Sequence, residues 1–154
     1  HGDFSNTVLV GLQPRGVLLL DQLILLLNEN GVSSIQKGKL DTTFFRDDFR
    51  RSEVPHNAKA TEMEVSIEGK NVVLIDDVLF TGRSIRSALT AIDSYGRPES
   101  IELLVLVDRR FSRHLPIQPD YLGAQIDALQ GDKVKVVWSE GTANNIVYLE
   151  KQNQ

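Results

Sequence analysis

The chain predicts an α/β fold: an open, largely parallel, twisted sheet flanked by helices. Three observations carry this. Residues 71–75 and 101–107 are continuous apolar runs, as strands buried on both faces require. Between them, Ile85, Leu89 and Ile92 recur at helical spacing, so the two strands bracket a helix in a βαβ unit with a right-handed crossover. The 154 residues are 41% hydrophobic and 25% charged, which suits one soluble domain and argues against disorder and fibrous repeats.

The elements follow in order. Residues 7–12 form a short apolar strand closed by the turn Gln13-Pro14-Arg15-Gly16. Leucines then fill residues 17–27 up to Gly31, predicting a mostly buried helix. Residues 40–45 alternate as a strand. Residues 46–61 are polar and irregular, a loop long enough to suggest a functional lid. Residues 62–67 suit a short strand pairing with the region after Leu40. The central strand 71–75 leads into a loop at 76–83, and a helix over 84–95 stops at Gly96-Arg97-Pro98. After the strand at 101–107, residues 134–138 and 145–149 predict a terminal hairpin.

Composition narrows the chemistry. The chain has no cysteine, which excludes disulfides, thiolate metal sites and a cysteine nucleophile. Three histidines, at positions 1, 56 and 114, are too few for a histidine-rich metal cage. The longest apolar stretch is broken by Asp21 and Gln22, too short to span a bilayer, and no signal segment opens the chain; a cytoplasmic location is expected.

The chemistry concentrates at one strand end. In open α/β sheets ligands bind beyond the carboxyl ends of strands. Asp76 and Asp77 are adjacent acids there, able to chelate a diol or approach a hard cation such as Mg²⁺. Thr81, Gly82 and Ser84 follow with hydroxyls and open backbone at a helix start, a ready anion site. Together they describe a sugar-phosphate site. An acidic phosphoacceptor pocket or a plain helix cap are the alternatives that residue chemistry leaves open.

The stretch Val72-Val-Leu-Ile-Asp-Asp-Val-Leu-Phe-Thr-Gly-Arg-Ser84 resembles the phosphoribosyl-pyrophosphate (PRPP) motif of type I phosphoribosyltransferases. Its surroundings resemble the PyrR family in particular. The matching segments include Val8-Leu-Val-Gly-Leu-Gln-Pro-Arg-Gly16, Asp41-Thr-Thr-Phe-Phe-Arg-Asp-Asp48, Val105-Leu-Val-Asp-Arg109 and Leu115-Pro-Ile-Gln-Pro-Asp-Tyr-Leu-Gly123. That family comprises uracil phosphoribosyltransferases that also regulate pyrimidine operons by binding RNA. The resemblance implies one phosphoribosyltransferase domain over residues 1–154, without the N-terminal helical segment usual in the family.

It also implies roles. Uracil would displace pyrophosphate from PRPP to give UMP. Asp76 and Asp77 would face the ribose hydroxyls, with Mg²⁺ held directly or through water and PRPP. Val78, Leu79, Phe80, Thr81, Gly82, Arg83 and Ser84 would cradle the 5′-phosphate. Pro14, Arg15 and Gly16 would receive pyrophosphate, with Arg46 as a second cation and the loop after it as a lid; its Asp47 and Asp48 suit a solvated face equally well. Asp108, Arg109 and Ile126 would form the base site. There the chain departs from the family, carrying Arg110-Phe-Ser-Arg-His114 where the family has a shorter Gly-His-Arg-Glu type of stretch; His114 reads as a surface histidine. A net charge of −4 and the absence of a Lys/Arg run disfavour RNA, although Arg109, Arg110 and Arg113 could form a local basic patch. UMP or UTP as product or regulator, and a homodimer or higher oligomer, complete the expectations. The rival readings are a purine phosphoribosyltransferase and an RNA-binding attenuator that senses nucleotides with little turnover.

Overall fold

A computed structural model of the chain describes residues 1–45, 60–129, 131–139 and 144–152. In chain order the elements are β1 (Thr7–Leu12), α1 (Arg15–Glu29), β2 (Gln36–Leu40), a 3₁₀ turn (Thr43–Phe45), β3 (Asn71–Leu79), α2 (Arg83–Ile92), β4 (Ser100–Arg110), β5 (Tyr121–Asp127), β6 (Lys133–Val137) and β7 (Ile146–Glu150). The first five strands form a parallel sheet in the order β2-β1-β3-β4-β5, and β6 and β7 pair separately as an antiparallel hairpin.

Strand alternation explains the two layers. Val8, Val10, Leu12, Val72, Leu74, Leu103 and Val105 face α2, whose Ile85, Ala88, Ala91 and Ile92 complete that core. Leu9, Val73 and Ile75 point the other way and pack on Leu20 of α1. The central strands therefore bury both faces, which is why their sequences read as unbroken apolar runs.

Several expectations are corrected. Helix α1 is not mostly buried: only Gly16 and Leu20 are fully buried, while Leu18, Leu25 and Leu26 are exposed, because a helix on one sheet face buries a single stripe. The strand expected at 40–45 lies earlier, at 36–40. Asp41 Oδ1 accepts hydrogen bonds from the Thr43 amide (2.8 Å) and hydroxyl (2.6 Å), an Asx turn that ends the strand. The strand expected at 62–67 reduces to one antiparallel bridge, Lys39 with Glu62. The loop expected from residue 76 begins later, since β3 continues to Leu79 in register with β4. Strand β5 was not anticipated: it is an almost wholly exposed edge and lacks a buried apolar run. The terminal hairpin is as expected. Among the described residues no helix is long and apolar enough to cross a membrane.

Candidate active site

Strand order creates the site. From β1 the chain crosses to β2 on one side of it, whereas β3 lies on the other, so the sheet has its topological switch point between β1 and β3. Pairing of β1 with β3 stops at Gly11 with Ile75, yet β3 runs on against β4. Asp76 comes level with Leu12, the last residue of β1, and Asp77 lies beyond it, opposite the turn that starts α1. Between them lies a cavity of about 310 Å³ whose lining includes Pro14, Arg15, Thr42, Asp76, Asp77 and Arg109. Gly16 seals the floor: a Cβ there would fall 2.1 Å from the Ile75 carbonyl oxygen, so only glycine lets α1 start this close to β3. Its close approach is thus to the sheet.

The carboxylates are electrostatically frustrated. Burial pushes Asp76 up to about 7, and the charge of Asp77 adds to the push. Burial likewise raises Asp77, opposed by the Arg15 guanidinium, whose Nη1 stands 3.6 Å from Asp77 Oδ2. The Asp77 amide donates to Asp76 Oδ1 at 2.9 Å. Asp77 Oδ2 is buried without a hydrogen-bond partner among the described residues. Two like charges and an unsatisfied oxygen make a site that gains by taking a cation or polar ligand. The donors are hard carboxylate oxygens, which fit Mg²⁺. Among the described residues no cluster of three or more ligating side chains exists, so most of its ligands would have to come from substrate and water.

Beyond β3, the chain folds into an anion cradle. Asp76, Val78, Leu79, Phe80, Thr81, Gly82, Arg83 and Ser84 surround a cavity of about 270 Å³. Gly82, at φ 91°, is the N-cap of α2 and has no side-chain cap, so it covers none of the helix's first N–H groups. The Arg83 amide donates to Thr81 Oγ1 at 3.3 Å. The expected loop residues are therefore brought together, with Val78 and Leu79 contributed by the strand.

On the far side, Arg109 is buried at the end of β4. Its guanidinium carbon lies 4.0 Å from the Phe80 ring centroid, Nη2 donates to the Asp132 carbonyl at 2.9 Å, and Nε has no partner among the described residues. Asp108 is also buried, and accepts from Arg113 and, at 3.2 Å, from Gln125. Arg113 donates as well to the Phe80 carbonyl, and the His114 amide to the Thr81 carbonyl at 3.0 Å. This segment therefore ties the two sides of the site together.

Ile126 lies opposite Arg109 in the β4–β5 register but lines neither cavity described so far. Arg46 and residues 47–59 of the lid expected at 47–61 lie outside the described residues. Sequence reasoning missed Thr42, Gln125 and the positioning contacts of Arg113. Of these only Arg113 carried a signal, as one of three closely spaced arginines.

The phosphoribosyl transferase domain family matches residues 1–143. The bifunctional protein PyrR of Picosynechococcus sp. is 41% identical over 150 residues, spanning 97% of this chain and 84% of that protein. The chain belongs to the PyrR family of type I phosphoribosyltransferases. Another PyrR relative, bifunctional protein PyrR 1 of Lactiplantibacillus plantarum, is 40% identical over 149 residues, 96% of this chain and 82% of its own. Among solved structures, a Staphylococcus aureus hypoxanthine phosphoribosyltransferase shares the fold with a TM-score of 0.60 and 24% identity, over 82% of this chain and 66% of that one. A Trypanosoma cruzi hypoxanthine phosphoribosyl transferase gives 0.61 and 20%, over 79% and 60%. The chain spans less than two thirds of those solved chains, and these likenesses are of fold alone.

Proposed function

We propose that this PyrR-family chain transfers the 5-phosphoribosyl group of PRPP to uracil, releasing pyrophosphate and UMP. The observation that carries the proposal is the junction, at the switch point, of a frustrated carboxylate pair with a glycine-capped helix N-terminus and a cationic turn. Those three features match the diol, 5′-phosphate and diphosphate of one substrate.

The reaction breaks the bond from the anomeric carbon to the diphosphate oxygen and forms one to a uracil nitrogen, whose proton leaves. Positive charge grows on the ribose and negative charge on the leaving group. Asp76 and Asp77 orient the ribose hydroxyls and hold negative charge near the developing oxocarbenium ion. Arg15, half-exposed at the α1 start, offsets charge on the departing diphosphate. Backbone N–H groups of residues 82–84 fix the 5′-phosphate, and with it the distance from the anomeric carbon to the base. Asp76 and Asp77 would hold Mg²⁺, which would supply further charge neutralisation on the diphosphate.

A second reading, regulation of a pyrimidine operon through RNA, draws on the relatives' description as bifunctional PyrR proteins. The three arginines of the candidate basic patch are engaged: Arg109 is buried, Arg110 pairs with Asp127 and Arg113 with Asp108. Of the three, Arg110 presents the most charge to solvent, since its ion pair with the half-exposed Asp127 lies at the surface.

A base panel tests the catalytic reading. Purified protein with PRPP and Mg²⁺ should form UMP with uracil and no nucleotide with hypoxanthine, guanine or orotate. A purine nucleotide as the product would move the chain to the purine enzymes.

A further inference from the structure

Phe111 is placed against its own folding interest. It is 77% exposed and its backbone has φ 65°, a conformation that bulky L-residues rarely adopt. Neither feature benefits the isolated chain. Both are maintained by neighbours that fix the turn from either side: Arg113 is held by Asp108 and the Phe80 carbonyl, and the His114 amide by the Thr81 carbonyl. The ring borders a cavity of about 670 Å³ that it shares with Phe80, Arg109, His114, Leu129 and Lys133. Phe80 and Leu129 are also exposed, at 45% and 66%, so three uncovered apolar side chains line one space. Phe80 and Arg109 line both this cavity and the one holding Asp76 and Asp77. A ligand with its polar part against the acids can thus extend directly into an apolar slot.

We propose that Phe111 is the stacking platform for the nucleobase and a specificity-determining residue of the transfer reaction. The inference rests on the phosphoribosyl-transfer reading above and adds where the base lies and what reads it. A planar heterocycle stacks on an aromatic face whatever its edge, and a neighbouring cation strengthens the contact. Arg110, whose guanidinium carbon lies 5.2 Å from the Phe111 ring centroid, is that cation, and the Arg109 Nε–H, buried and without a partner among the described residues, offers a donor beside the same space. The occupant is the base of a nucleotide whose ribose and phosphate fill the adjoining cavities.

Calorimetric titration with UMP and with ribose 5-phosphate, which lacks the base, separates the outcomes. The wild type should bind UMP more tightly than ribose 5-phosphate. Phe111→Ala should weaken UMP at least about fivefold, the low end for loss of one stacked base, and leave ribose 5-phosphate unchanged. Phe111→Tyr should restore UMP affinity. Phe111→Gly, which relieves the positive φ, should raise Tm yet lose UMP affinity as alanine does; a merely structural Phe111 would give a lower Tm in both. Undiminished UMP binding by Phe111→Ala would overturn the platform while leaving the phosphoribosyl site standing. A wild type that binds neither ligand would overturn the phosphoribosyl reading and the platform with it.

Discussion

Asp76 and Asp77 are acids that the fold tolerates rather than uses. Asp76 is raised from an ordinary 3.8 to about 7, chiefly by burial. An acid held more protonated when folded than when unfolded adds stability below its unfolded value and loses it as pH climbs through the folded one. Ligand-free Tm should therefore fall between about pH 4 and pH 7, and thermal melts across that range check it. Asp76→Asn should remove the loss and raise Tm at pH 8 by about 3 °C or more, the equivalent of ~1 kcal/mol in a chain of this size. The same substitution, and Asp77→Asn, should lower UMP formation by about 100-fold or more. Full activity in both variants would dissociate the pair from PRPP. Residue chemistry had identified this pair because two adjacent acids after an apolar run have few structural uses. It could not identify the contacts of Arg113 with Asp108 and Phe80, which join positions 5 and 33 apart in sequence and leave no local pattern.

At the scale of elements, the βα junctions carry the function. Helix α1 begins directly on β3 because Gly16 has no side chain, and Gly82 begins α2 in the left-handed region. Gly16→Ala must displace the helix start, because the added Cβ would stand only 2.1 Å from the Ile75 carbonyl oxygen. The expected cost is about 1–3 kcal/mol, seen as a lower Tm together with a higher KM for PRPP; an unchanged KM would detach this turn from diphosphate binding. The elements that sequence pattern revealed are β1 and β3, buried on both faces, β4, buried on one face and half-buried on the other, the amphipathic α2 and the terminal β6–β7 hairpin. Strand β5 escaped because its residues are almost all exposed and show neither a run nor a clean alternation. Helix α1 was read as too deeply buried because its leucines occupy more than one face, and composition does not say which face the sheet covers.

For the whole molecule, strand order decides where a substrate can go. The switch between β1 and β3 opens one crevice, and the residues flanking it come from β1–α1, β3–α2, the end of β4 and β6, which the sequence separates by up to 122 positions (Leu12 to Val134). Their spacing in the chain does not reveal this meeting; the parallel topology does. Net charge of −4 leaves the molecule no general attraction for polyanions, so affinity for PRPP must come from local dipoles and cations gathered at this crevice.

The central claim is that the carboxylate pair at the switch point receives the ribose and diphosphate of PRPP. Calorimetry of PRPP binding with Mg²⁺ at pH 7, in two buffers of different ionisation enthalpy, tests it most directly. Since burial raises Asp76 to about 7, the account predicts that binding releases protons, and that Asp76→Asn reduces the release and loses most of the affinity. Full PRPP affinity in the Asp76→Asn, Asp77→Asn double variant would contradict it.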